Sequence, residues 1–232
     1  MATTWEITPG DYFERLHLDI KEFEKRLHLP DVSEIKKIVP LRRITKIHSL
    51  IPITAEMLGY LVRRIKTLDG DLPYKNAHIK MAKMDPHILK IGQKFVYREN
   101  YQQLMEEVPG IFKEFMGTSE GLADIGAYFV FGVNGNTDTL CLACYLPPIV
   151  EQHSWGLPVM DGIHRNFLSK QSGAIPTTIL VKNVELPFPC AAQNWSKVEV
   201  IPLADKPVQV EDRYFELNKG LFRNLKYLGI DG

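Results

Sequence analysis

The stretch AYFVFGVNGNTDTLCLACYL, residues 127–146, constrains this chain more than any other. Two runs rich in aromatic and β-branched residues flank Asn134-Gly135-Asn136, which marks a β-hairpin. An isolated hairpin is not stable in water, so further strands or helices must cover it. Cys141 and Cys144 both lie in the second run. Positions three apart on a strand point to opposite faces, so this C-x-x-C reads as two core cysteines rather than half of a zinc site. With Cys190 as the third cysteine, the count fits a reduced compartment better than a disulfide framework. Cytoplasm is the expected location. The N-terminus lacks the basic and apolar regions of a secretory signal, and no apolar run approaches the ~20 residues of a membrane span.

Upstream of the hairpin the texture is helical. In DYFERLHLDIKEFEKRLHL, Phe13, Leu16, Ile20, Phe23 and Leu27 recur at helical spacing until Pro30. In ITAEMLGYLVRRIKTLDG, Thr54 is placed to cap a helix striped by Met57, Leu58, Leu61, Val62, Ile65 and Leu68, with Gly70 as its stop. The intervening VSEIKKIVPLRRITKIHSLIP fits a short helix or a strand. LDGDLPYKN then reads as a linker. This divides the chain into a helical N-terminal segment, 1–70, and an α+β domain, 71–232.

Within that domain, residues 77–84 alternate as a strand until Asp85-Pro86, and Tyr101, Leu104, Met105 and Val108 recur as on a helix. IPTTILVKNVEL is a further strand, and the tail from Glu211 is expected to be helical up to Gly220 or beyond. Phe188 and Trp195, in and after a Pro-rich stretch, either stack on a base or cover the edge of the core.

Lys plus Arg and Asp plus Glu balance at 28 each, so whole-chain charge favours neither nucleic acid nor membrane. Locally the balance breaks: residues 34–66 hold eight bases (Lys36, Lys37, Arg42, Arg43, Lys46, Arg63, Arg64, Lys66) and two acids. Such a segment is either a solvated face or a contact for a polyanion such as DNA.

The densest chemistry lies at Asp161-Gly162-Ile163-His164-Arg165, between the apolar PVM and the residues Asn166 to Lys170. A strand turning through glycine into a helix offers unpaired backbone N–H groups to an anion. Arg165 adds a fork matched to phosphate oxygens and His164 another donor. The plainer reading makes Asp161 a turn residue and Arg165 a surface charge. Both stand on the residues alone.

The D-G-x-H-R string resembles the signature of the ParB/sulfiredoxin superfamily. The preceding HIKMAKMDPHILKIGQKF and NYQQLMEEV are similar to that superfamily's opening, a strand ending in a Pro turn followed by a helix. The resemblance covers roughly residues 76–184. It implies a mixed-sheet α+β domain whose loop cradles the phosphates of ATP, ADP or CTP with Mg²⁺. Gly162, His164, Arg165, Asn166 and His87 would hold the nucleotide, and Asp161, Glu151 or Glu99 would supply the base of a phosphotransferase or nucleotide hydrolase acting on a small hydroxylated molecule or water. The alternative is a DNA-associated regulator that uses the nucleotide as a switch and touches DNA through residues 34–66. Two departures matter. Ile163 stands where sulfiredoxins carry cysteine, which removes sulfinic-acid reduction, and Ile88 follows Pro86-His87 where the superfamily's serine kinases carry an acid.

Overall fold

The computed structural model describes residues 5–27, 33–102, 123–135 and 137–231. The hairpin is its centre. Strand β7 (Tyr128–Asn134) pairs in register with β8 (Thr139–Tyr145), from Tyr128 opposite Tyr145 to Asn134 opposite Thr139. β2 (Ile44–Pro52) adds antiparallel to β7. On the other side, β1 (Lys37–Ile38) and β14 (Ile230–Asp231) run parallel to successive parts of β8.

The alternation of β7 and β8 serves two cores. Phe129, Phe131, Leu142 and Cys144 face the larger one, which is filled from α1 (Pro9–Leu16), α2 (Ile20–Leu27) and α3 (Ala55–Val62) by Tyr12, Phe23 and Leu58 among others. Val130, Cys141 and Ala143 face a smaller one with Val39, Leu41 and Ile44. Cys141 and Cys144 are thus buried on opposite faces.

Leu146-Pro147-Pro148 carries the chain from β8 into a second sheet, ordered β4 (His78–Lys83), β11 (Thr177–Lys182), β9 (Ile149–Glu151), β10 (Pro158–Asp161), β5 (Lys90–Ile91). Its neighbours alternate antiparallel, parallel, antiparallel, parallel. Helix α4 (Ile163–Ser172) follows β10; its Ile163 joins Val150, Val159, Ile91 and Leu180 in a third core. The molecule is a mixed α+β protein, and no helix among the described residues is long and apolar enough to cross a membrane.

Three expectations change. The helix expected to run from Phe13 to Leu27 is two helices. His17 adopts the left-handed conformation (φ 50°) and closes α1, and Asp19 accepts the Lys21 N–H as the chain restarts. The N-terminal 70 residues are not wholly helical. The stretch that fitted either state forms β1 and β2, and β2 joins the hairpin sheet, so one sheet spans the boundary expected at residue 70.

The C-terminal helix is absent. Residues 211–213 and 225–228 form 3₁₀ turns, left-handed Glu216 (φ 48°) interrupts the run, and β13 (Arg223–Asn224) pairs with β3 (Lys66–Thr67). Long-range pairing overrides the local helical spacing here. The helix read through Tyr101 begins at 98–102, and its remaining positions Leu104, Met105 and Val108 lie outside the described residues.

Candidate phosphate site at the start of helix α4

β10 delivers Asp161 opposite Ile149, and Gly162 turns the chain into α4 with φ 83°. A Cβ at that position would lie 2.8 Å from the Pro148 Cβ. Both the left-handed backbone and this contact require glycine, and the close approach is to Pro148. The first intrahelical bond runs from Asn166 N–H to Gly162 O at 3.0 Å. The N–H groups of Ile163, His164 and Arg165 therefore have no intrahelical acceptor and carry the positive end of the helix dipole.

The motif side chains divide. Arg165, expected to grip phosphate, turns inward and is 5% exposed. Its Nη1 donates to Leu146 O, its Nη2 donates to Asp161 Oδ2 at 2.7 Å, and the guanidinium lies 5.5 Å from the Tyr145 ring. It ties α4 to the crossover between the sheets. Asn166, also expected at the phosphate, is buried. Its amide donates to Gly162 O at 3.1 Å and its Oδ1 has no partner. Asp161 keeps one oxygen, Oδ1, outside the Arg165 contact, and it lines a small pocket with Gln93, Met160, Phe188, Cys190 and Tyr214.

His164 lies on the first turn of α4 and differs from Arg165. Its Nε2 accepts the Tyr97 backbone N–H at 3.0 Å, from β6 (Phe95–Tyr97). The ring lies 5.8 Å from the Tyr97 ring, tilted by 30°. Burial, with the charges of Lys206 and Arg165 after it, lowers its pKa to about 4. At neutral pH the imidazole is uncharged. With Nε2 accepting, its proton sits on Nδ1, which has no partner among the described residues.

Lys206 reaches the same place from the far end of the chain, its Nζ 5.1 Å from the centre of the Tyr97 ring. Neither Lys206 nor Tyr97 was singled out in the sequence. No local pattern marks them, because each depends on β6 pairing with β12 (Glu199–Ile201), about a hundred positions later.

The other residues read as catalytic have different surroundings. Glu151 is fully buried. It accepts from Tyr74 Oη at 2.6 Å, Arg223 Nε at 2.9 Å and Arg223 Nη2 at 3.2 Å, and it contacts His153 Nε2 at 2.7 Å. Burial first, then the Glu151 charge, raises the Tyr74 hydroxyl well above its usual pKa, so it remains a donor. The linker residue Tyr74, the C-terminal Arg223 and β9 are locked together by a carboxylate whose acceptor positions are filled. A metal site built from Glu151, His153 and His164 would need that carboxylate, and among the described residues no group of three His, Cys, Asp or Glu can hold a metal.

Glu99 is exposed, and its Oε2 accepts the Leu203 N–H at 2.6 Å, the largest cause of its lowered pKa. His87 is exposed on the 3₁₀ turn Pro86–Ile88, which packs against α4, and its N–H is capped by Asp85 at 2.9 Å. Trp195 donates to Pro86 O at 2.7 Å and packs beside Phe167, so it covers the core edge. Phe188 meets His153 and Trp155 edge-on.

The basic segment is partly neutralised by the fold. Lys37 and Arg43 pair with Glu6, Arg63 donates to Ala77 O, Arg64 lies 3.4 Å from the centre of the Tyr60 ring, and Lys66 lies 5.0 Å from that of Tyr227. Lys36, Arg42 and Lys46 are exposed. No family model, curated protein or solved structure matches the chain.

Proposed function

We propose that this chain is a nucleotide-binding protein of the ParB/sulfiredoxin-like type, taking the phosphates of ATP, ADP or CTP at the N-terminal end of α4. The observation that carries this reading is His164. It is a neutral imidazole fixed by Tyr97, its Nδ1–H without a partner among the described residues, on the first turn of a helix entered through Gly162. An uncharged donor and helix N–H groups suit phosphate oxygens, and the donor set does not change with pH in the neutral range. Arg165 supports the site from beneath rather than touching ligand.

The carboxylates favour binding over phosphoryl transfer. Glu151 is enclosed by Arg223, Tyr74 and His153, and Glu99 holds the Leu203 backbone. That leaves Asp161, through Oδ1, as the residue that would hold Mg²⁺, and Mg²⁺ would neutralise charge between phosphates. The reading is therefore a nucleotide-responsive binding protein, in which bound nucleotide biases conformation.

Calorimetric titration with ATP, ADP and CTP plus Mg²⁺ tests it on wild type and His164→Ala. The expected result is saturable binding weakened about tenfold or more by the variant. No binding by folded wild type rejects the reading. Turnover that Asp161→Asn abolishes without loss of binding would establish phosphoryl transfer instead.

A further inference from the structure

We propose that the outer edge of β4 is a docking site for an extended, acidic peptide segment of a partner protein, which joins the second sheet there as an added strand. The proposal stands apart from the nucleotide reading, because β4 lies at the opposite end of that sheet from β10 and β5.

Two long strands end the main sheets, β2 with nine residues and β4 with six. β2 is disrupted: its register against β7 shifts twice, and it closes on Pro52. Bulges and proline on an edge hinder pairing with a further strand. β4 has neither. It keeps register with β11 over its whole length, from His78 opposite Lys182 to Lys83 opposite Thr177. In an antiparallel pair, alternate residues turn their N–H and C=O groups away from the neighbouring strand. Among the described residues no strand lies on that side of β4, and no backbone hydrogen bond outside the β11 ladder involves residues 78–83. The side chains are uncovered too. His78, Lys80, Met81 and Lys83 are exposed, whereas Ile79 and Ala82 pack towards the cores.

Charge selects the occupant. β4 and its neighbour β11 carry Lys80, Lys83, Lys182 and His78 and no acid. Among the described residues Lys83 pairs with Asp124, and neither Lys80 nor Lys182 has an ion pair. The acids that follow these strands are engaged elsewhere. Asp85, after β4, caps the His87 N–H at 2.9 Å, and Glu185, after β11, accepts from Asn76 at 2.5 Å. A second copy of this chain would set lysines against lysines, and like charges facing each other across a strand pair are destabilising. Nucleic acid would answer the charge but not the open ladder. An extended segment with acids at alternate positions does both, because its backbone completes the ladder while its side chains meet the lysines.

The test is fluorescence anisotropy on the full chain, with fluorescein-labelled peptides of about eight residues, and amide hydrogen exchange of each mixture. One peptide alternates Glu and Val. A second alternates Glu and Pro, which keeps the charge but removes N–H donors. The variants are Lys80→Glu and Lys46→Glu; both lysines are exposed, so both variants should keep the wild-type melting temperature. Lys46, on the bulged β2, reports any general surface-field effect. The proposal expects saturable binding of the Glu–Val peptide with slowed exchange at residues 78–83, and binding of the Glu–Pro peptide at least about tenfold weaker. Lys80→Glu should weaken the Glu–Val peptide about tenfold, and Lys46→Glu should stay within about twofold of wild type. No binding, equal affinity for the two peptides, equal losses from the two variants, or protection elsewhere than β4 would overturn it. Duplex DNA that binds as tightly as the Glu–Val peptide and loses as much on Lys80→Glu would assign the lysines to nucleic acid instead. Protection of residues 78–83 that rises with protein concentration without peptide would assign the edge to a second copy.

Discussion

Neighbouring strands of the second sheet carry two carboxylates with opposite surroundings. On β9, Glu151 has lost all contact with solvent and answers a buried arginine and a tyrosine from two distant parts of the chain, together with His153 two residues on. On β10, the Asp161 side chain accepts from Arg165, four residues on, through one oxygen, and the residue lines a pocket. Sequence reading gave both the same chemical role. The difference shows that an acid's availability depends on how many donors the fold aims at it. A buried carboxylate with its acceptor positions filled holds structure, whereas one at a helix entrance remains open to ligand.

The sharpest way to break this contrast is Glu151→Ala. Leaving the Arg223 guanidinium buried without its anion should destabilise the protein by about 3–5 kcal/mol in urea unfolding. A stable variant that loses only activity would return Glu151 to a catalytic role.

The helix entrance responds to pH instead. The folded pKa of His164, about 4, lies below the 6.5 of an unperturbed histidine, so between those values the unfolded chain binds the extra proton. Stability should be complete above pH 6.5 and fall by up to about 3 kcal/mol as pH drops to 4. Proton NMR titration of the ring, with urea unfolding of His164→Asn as control, checks this. An apparent pKa near 6.5 would show that His164 is open to water.

Gly162→Ala should cost about 1–3 kcal/mol, from left-handed strain and the Pro148 contact, read as a lowered melting temperature. Smallest of these, Arg165→Met should destabilise by about 1–2 kcal/mol while nucleotide affinity is retained. Loss of affinity at unchanged stability would make Arg165 a ligand after all.

Much of the secondary structure was legible in the sequence. The Asn134-Gly135-Asn136 hairpin, the strand at 78–83, the Thr54 cap and the turn through Gly162 into α4 rest on local rules of turn, alternation and capping. The same locality explains the failures. The tail from Glu211 has helical spacing but is drawn into pairing with residues 66–69, and residues 44–52 become strand because β7 offers them an edge. Within the site, the sequence pointed to the entrance of α4 but could not divide its members.

By itself, the sequence determined which segments could bend, alternate or cap, and where an acid, a glycine, an imidazole and a guanidinium would meet at one strand-to-helix turn. Only the tertiary structure decided that Arg165 faces Leu146, that Glu151 is enclosed by Tyr74 and Arg223, and that Lys206 lies over Tyr97. The reason is range. Backbone preferences act over a few residues, whereas burial and charge pairing depend on which distant segments the packed core brings together.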